Sequence, residues 1–283
     1  MIKPVVQDDA FLADVKRVSA DEFVVHLWWL GQSGFLIKYG NRYLLIDPYL
    51  SDSLTKKYSG TDKPHVRMSE RVVDPARMDF VDVVTSSHNH TDHLDAETLV
   101  PLLKANPGMR IVTPAANRQF AAERLGTNPG TILAADEGKT INIAGFLITG
   151  IIAAHPQVER DEQGRSKYLG YVIQAGFSTI YHSGDTLWHD AIVEQVKPFK
   201  VDIALLPING DRPGRRVAGN LDGPQAAKLA KAVRARVVIP SHYDMFEFNT
   251  ASPDEFEQEC QKIDQSYRVL RAGERFSSSE IRP

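Results

Sequence analysis

Between positions 88 and 93 the chain reads His-Asn-His-Thr-Asp-His, so four groups able to bind a metal fall within six residues. His88 and His90 are two apart, and extended backbone there points both imidazoles the same way. Asp92 and His93 lie beyond a turn and can face a second, neighbouring point. Imidazole and carboxylate at this spacing suit zinc, manganese or iron. Two such ions side by side share a water and lower its pKa far enough to supply hydroxide at neutral pH. The chemistry implied is metal-assisted hydrolysis at an electrophilic carbon or phosphorus. Neither a GxSxG elbow nor a Walker loop is present, so no serine nucleophile or phosphate cradle competes with that reading.

Such a cluster needs rigid elements behind it. Residues 81–86 (VDVVTS) read as an apolar strand that runs straight into the histidines. A helix follows over 95–104, with Leu99, Leu102 and Leu103 on one side. Upstream, strands are expected at 23–30, 34–39 and 42–47, separated by Gly31-Gln32-Ser33 and by Gly40-Asn41. Downstream, strands are expected at 110–113, 140–152, 170–175, 179–182, 201–206, 236–240 and 267–270. Helices are expected at 115–125, 187–196, 224–233 and 253–265. Pro224 and Pro253 suit first-turn positions, with Asp222 or Gly223 and Ser252 as caps. Strands that first meander and then alternate with helices predict a mixed α/β layer architecture. No linker, repeat or low-complexity tract divides the chain, so residues 1–283 are read as one domain.

Composition narrows the partners. The chain has 283 residues, with 33 Lys+Arg against 36 Asp+Glu, a net charge of −3 that gives no basic excess for nucleic acid. At 42% hydrophobic and 24% charged residues the composition is globular. One cysteine, Cys260, allows neither an internal disulfide nor a thiolate zinc motif, so a metal site must draw on the nine histidines and on carboxylates. The first sixteen residues carry early acids and no apolar core, and the apolar stretch 23–39 is broken at Gly31-Gln32-Ser33. A soluble, cytoplasmic chain without a transmembrane segment is expected. Its partner is a small-molecule substrate, and self-association into a homo-oligomer is left open.

The HxHxDH run behind a VDVV strand resembles the metallo-β-lactamase superfamily. The sparse motifs of that family occur here in the same order: Asp47 in LLIDP, His155 in AAHP, Asp185 in YHSGD and His242 in IPSHYD. The resemblance spans about residues 24–249 and implies a four-layer αββα sandwich with two divalent metal ions at one edge. Carried over, His88, His90 and His155 hold one ion. Asp92, His93 and His242 hold the other, and Asp185 bridges them. Asp92 and Asp185 are then the catalytic carboxylates. Asp47 orients a ligand imidazole from behind, and His182, next to the bridging-aspartate loop, is read as a supporting residue. Oxygen-reducing di-iron members carry Glu at the position of His90, and many zinc β-lactamases carry Cys at that of Asp185, so a different hydrolytic branch is implied.

Two branches share the remaining likeness. WWLGQSGFLI, YHSGDTLWHD, VDIALLP and ARVVIPSHYD resemble L-ascorbate-6-phosphate lactonase. SHNHTDHLD and DPYLSDS are equally similar to N-acylphosphatidylethanolamine phospholipase D. Segment 51–71 diverges from the lactonase pattern. The first resemblance implies a small, anionic ester or lactone substrate; the second, as the alternative, implies a phosphodiester. Asn209, Arg212 and Arg215, in the loop after strand 201–206, and Tyr243, beside His242, are the candidate substrate contacts. His26, His65 and His189 carry no spacing argument.

Overall fold

The computed structural model describes residues 1–21 and 23–281. Two sheets carry the architecture. β1 (Val25–Gly31), β2 (Gly34–Tyr39) and β3 (Arg42–Ile46) form an antiparallel meander. β4 (Val83–Thr85), β5 (Arg110–Pro114) and β6 (Ile132–Ala135) extend it in parallel. β13 (Arg275–Ser277) returns from the end of the chain to pair with β1. The strand order is β13-β1-β2-β3-β4-β5-β6.

The second sheet uses β7 (Thr140–Ile143), β8 (Phe146–Ile152), β9 (Leu169–Ala175), β10 (Ser178–His182), β11 (Ile203–Pro207) and β12 (Val237–Ser241). Its order is β12-β11-β10-β9-β8-β7. A contiguous apolar cluster, including Trp28, Leu44, Val84, Ile148, Tyr181 and Leu205, draws on both sheets. β4, β11 and β12 are buried along their whole length, as parallel strands covered on both faces must be. α3 (Ala96–Ala105) and α4 (Arg118–Leu125) pack together, and α4 lies against β5 and β6. α5 (Asp190–Val196) lies on β8 and α6 (Gly223–Ala232) on β11 and β12, with α7 (Asp254–Lys262) packed against α6. The result is the expected mixed α/β fold, in layers of helix, sheet, sheet and helix. No helix of the described residues is long and apolar enough to cross a membrane.

Strand direction decides where chemistry can gather. β3, β4 and β5 run parallel in one sheet, and β10, β11 and β12 in the other. β8 and β10 are both antiparallel to β9, so β8 shares the direction of β10. Asp47, His88, His155, Asp185 and His242 each lie within three residues after the end of one of these strands. Polar side chains gather at such strand ends because the ladders stop there and side chains can converge from neighbouring loops.

Several elements differ from expectation. The single run 140–152 folds as the β7–β8 hairpin, because Ala144 and Gly145 both take positive φ, the geometry of a tight two-residue turn. The 267–270 run is no strand: apart from one bridge, Tyr267 to Val238, it has no ladder. The helix expected from 187 starts at Asp190, because His189 turns its Nδ1 to accept from the Ala191 N–H at 3.2 Å. α1 (Asp8–Arg17), β6 and β13 have no counterpart in the sequence reading. β13 is three residues long, too short to carry a periodic pattern.

At α6, the Asp222 carboxylate accepts from the Gln225 N–H at 2.8 Å and the Gln225 side chain accepts from the Asp222 N–H at 3.1 Å, a reciprocal cap. Asp222→Ala is expected to lower stability by about 1 kcal/mol. The urea midpoint should fall with no change in slope; an unchanged midpoint contradicts the cap's contribution.

Candidate metal centre

The cluster is assembled around the loop that follows β4. The Ser87 N–H donates to Asp47 Oδ1 at 2.8 Å, and its hydroxyl donates to Asp47 Oδ2, which ties the end of β4 to the end of β3. The chain then turns, with the N–H groups of His93 and Leu94 both donating to the His90 carbonyl. Asp95 caps α3 and stops the turn. From the other sheet, the loop after β10 comes so close that a Cβ on Gly184 would lie 2.6 Å from Ser87 Cβ and 3.0 Å from the Leu169 carbonyl. Its φ of +59° also favours glycine, so this contact between the sheets requires Gly184.

Imidazole orientation is set from behind. His93 Nδ1 lies 2.6 Å from Asp47 Oδ2, His155 Nδ1 lies 2.9 Å from the Gly219 carbonyl, and His88 Nδ1 lies 3.0 Å from Ser87 Oγ. These contacts turn the Nε2 atoms of the three rings toward one another. His93 Nε2 and His242 Nε2 each lie 3.3 Å from Asp185 Oδ1, and His155 Nε2 lies 3.7 Å from Asp185 Oδ2. Asp92 Oδ2 is 3.5 Å from His93 Nε2 and 3.6 Å from His242 Nε2.

Three sets of side chains bring their ligand atoms within 4.8 Å of one another: His88, His90 and His155; His88, His93 and Asp185; Asp92, His93 and His242. His88 Nε2, His93 Nε2 and Asp185 Oδ1 are buried without a hydrogen-bond partner. Buried polar atoms are ordinarily satisfied. Orphans that converge from three directions fit a cation, and the imidazole and carboxylate donors suit a divalent transition metal.

The charges reinforce this fit. Burial, with His93 and His90 nearby, holds the His88 pKa well below the ordinary histidine value. Burial and His155 pull His90 down to about 4. Burial also lowers His155, so all three rings are neutral and ready to coordinate. His93 is the exception: burial opposes its charge, but the carboxylates of Asp185, Asp92 and Asp47 outweigh burial and push its pKa well above 6.5. For Asp185 burial is likewise overcome, here by His242 and His93, which hold its pKa well below 3.8.

Of the residues singled out in the sequence, His88, His90, Asp92, His93, His155, Asp185 and His242 come together, and Asp47 stands directly behind His93. His182 stays outside the cluster. It accepts from the Gly184 N–H at 3.2 Å and bonds to Ser33 through Nε2, which positions the loop that carries Asp185. The substrate candidates are not brought to the site. Tyr243 is 2% exposed, stacks on Trp29 at 4.3 Å, and donates its hydroxyl to the Leu270 carbonyl. The Arg215 guanidinium is spent on Asn209 O, Asn249 Oδ1 and Thr250 O at 2.7 to 2.9 Å. Asn209 pairs with Asn249 and Asn220, and Arg212 is exposed away from the pocket. This loop needs internal partners to hold its shape, and those bonds consume its donors.

Above the cluster opens a pocket of about 420 Å³. His90, Asp92, His155, Asp185 and His242 reach its floor, and Lys57, Lys63, His65, Arg124 and Arg216 line its walls. Arg216 belongs to the arginine-rich loop 209–216 that the sequence offers as a clamp; the other wall residues carry no signal of their own in the sequence, since each is an isolated charge or ring in α2 (Ser53–Lys57), in α4 or in a loop. The divergence of segment 51–71 was the available signal, and it supplies Lys57, Lys63 and His65.

Comparison with known proteins agrees with this geometry. Residues 26–242 match the model of the Beta-lactamase superfamily domain. The chain belongs to the beta-lactamase superfamily. A curated relative from Hyperthermus butylicus, named UPF0173 metal-dependent hydrolase, is 30% identical over 248 residues, which are 87% of this chain and 96% of the relative. Among solved structures, Igni18, a metallo hydrolase from Ignicoccus hospitalis, matches with a TM-score of 0.65 and 22% identity over 90% of this chain and 98% of its own. An isothiocyanate hydrolase from Delia radicum gut bacteria matches with a TM-score of 0.69 and 21% identity, over 89% and 98%. These two likenesses concern the fold.

In this superfamily site, the raised pKa of His93 makes metal uptake pH-dependent. Near pH 7 the ring is charged without a metal and must be neutral to coordinate, so uptake releases about one proton. Affinity should rise with pH until the folded pKa of His93 is passed. Calorimetry in buffers of different ionisation enthalpy measures the release; no buffer dependence rules out a charged His93. The metal-free protein should also weaken on the alkaline side. The stability from His93 is complete below 6.5 and is lost as pH rises through its raised folded pKa.

Proposed function

We propose that the protein is a metal-dependent hydrolase that opens a small, anionic ester or lactone in the manner of L-ascorbate-6-phosphate lactonase, with two divalent ions, zinc or manganese. The observation that carries this reading is the charge pattern of one pocket. Its only acidic lining residues among those described are Asp92 and Asp185, both on the floor, while Lys57, Lys63, Arg124 and Arg216 surround the opening. Lys57 bonds to Thr91 Oγ1 and Lys63 to the Arg216 carbonyl, and among the described residues neither ammonium has a carboxylate partner. Arg216 pairs with Asp62, and Arg124 is anchored on the Asn89 and Leu94 carbonyls. A substrate whose reacting carbonyl lies over the floor and whose anionic group meets Lys57 and Lys63 satisfies both halves of the pocket.

His88, His90 and His155 would hold one ion, and Asp92, His93 and His242 the other, with Asp185 between them. Metal ions held there would supply a Lewis acid for the ester oxygen and a water of lowered pKa. The protein's own groups do the rest. Asp47 keeps the His93 ring in register through Nδ1, and the Asp92 carboxylate, at the pocket floor, is placed to take up a proton. A phosphodiester lipid, the alternative substrate, is also an anion that the cationic wall can hold, and its apolar part would lie on Leu54, Phe120 and Val217, so the substrate panel separates the two readings.

The test is hydrolysis by the metal-loaded protein of a panel of lactones, phosphosugar lactones and phosphodiesters. His90→Ala should abolish turnover. Lys57→Ala and Lys63→Ala should each raise KM for anionic substrates about tenfold, the worth of one charge-assisted hydrogen bond, and leave neutral esters unchanged. Turnover confined to phosphodiesters, or equal losses on neutral and anionic esters, contradicts the proposal.

A further inference from the structure

In the sequence Gly31-Gln32-Ser33 is punctuation between two strands, but in the fold this turn reaches the metal centre. Gln32 is 1% exposed and holds φ at +50° as the first central residue of the β1–β2 turn, a position where glycine is the usual choice. Two bonds, one long-range and one local, keep it there. Its carbonyl accepts from the His242 backbone N–H at 2.9 Å and from Trp29 Nε1–H at 3.0 Å. His242 is also a non-glycine residue at positive φ, +66°, so two strained residues are locked to each other beside the cluster.

This locking aims the Gln32 side chain inward. Nε2 donates to Asp92 Oδ2 at 2.8 Å and lies 3.2 Å from His242 Nε2. Oε1 is buried without any partner. A residue that merely filled space here would be better apolar, with no unpaired oxygen to desolvate. An amide N–H does something a hydrocarbon cannot: it occupies one lone pair of Asp92 and leaves the others free to face a cation. It does so without charge, where lysine would repel the cation and glutamate would repel Asp92.

We propose that Gln32 is a positioning residue of the metal position formed by Asp92, His93 and His242, where its Nε2 fixes the orientation of the Asp92 carboxylate. This rests on reading the cluster as a metal centre. The rival role is direct coordination through Oε1 after the amide turns over, since the two ends of a carboxamide have nearly the same shape. The two roles differ in what a glutamate does at position 32. A carboxylate cannot donate to Asp92, but it can coordinate a cation.

The experiment titrates zinc against a competing chelator, and cobalt(II) by its absorption spectrum, into the full-length protein and into Gln32→Ala, Gln32→Met and Gln32→Glu. Met keeps the volume and removes only the amide, and thermal unfolding of each metal-free variant checks that it folds. The Ala and Met variants should bind one metal equivalent 10- to 100-fold more weakly, the usual effect of losing a partner of a metal ligand. The other equivalent, assigned to His88, His90 and His155, should keep its wild-type affinity. Gln32→Glu should lose at least as much as Gln32→Ala. Wild-type affinity at both positions in the Ala variant, or tighter binding by Gln32→Glu, overturns the proposal while the metal centre stands. A wild-type protein that takes up no metal overturns both.

Discussion

The contact between Asp47 and His93, both beyond strand ends of one sheet, sets up the charge that meets Asp185 of the other sheet. Asp47 closes β3, and His93 lies in the loop after β4 with its other nitrogen turned to Asp185 and Asp92. One imidazole therefore stands among three carboxylates, two of them delivered by its own sheet and one by the opposite sheet. Buried carboxylates are tolerated only when a counter-charge reaches them. A proton on His93 answers that need in one state of the protein, and a divalent cation answers it in another. The Gly184 contact, the Ser87 bonds to Asp47 and the reach of His182 to the Gly184 N–H all keep the opposing loops at the separation this balance requires.

The site is divided by origin as well as by charge. Its floor comes from the ends of β4, β8, β10 and β12, and its position is set by backbone ladders that cannot slip without turning every side chain over. Its walls come from α2 and the turn behind it, from α4 and from the loop that carries Arg216. Lys63 ties two of these segments together through the Arg216 carbonyl, whereas Lys57 and Arg124 bond to the 89–94 loop of the floor itself.

Much of the site could be read directly. His88, His90, Asp92 and His93 declare themselves by spacing, whereas Asp47, His155, Asp185 and His242 are found only through the resemblance to the superfamily, whose motifs occur here in the same order. Short motifs survive in one dimension because each ligand lies close behind a strand end, so apolar run and polar residue stay adjacent in the chain. The loop 209–216 misled for the converse reason. Three arginines in eight residues look available, yet Arg215 is needed to hold the loop together and Arg216 alone reaches the pocket. Tyr243, next to a candidate ligand in sequence, is held away from the cluster by its stacking on Trp29 and its bond to the Leu270 carbonyl.

By itself the sequence determined the class of chemistry, the all-nitrogen-and-oxygen donor set and the layered α/β architecture. Those depend on residue type and on periods of two and of 3.6, which are local. The tertiary structure alone decided which charges face the substrate and what supports the ligands. Lys57, Lys63, Arg124 and Arg216 come from distant segments, and Gln32 meets Asp92 across sixty positions. Such encounters depend on how two sheets are laid face to face, and no spacing along the chain encodes them.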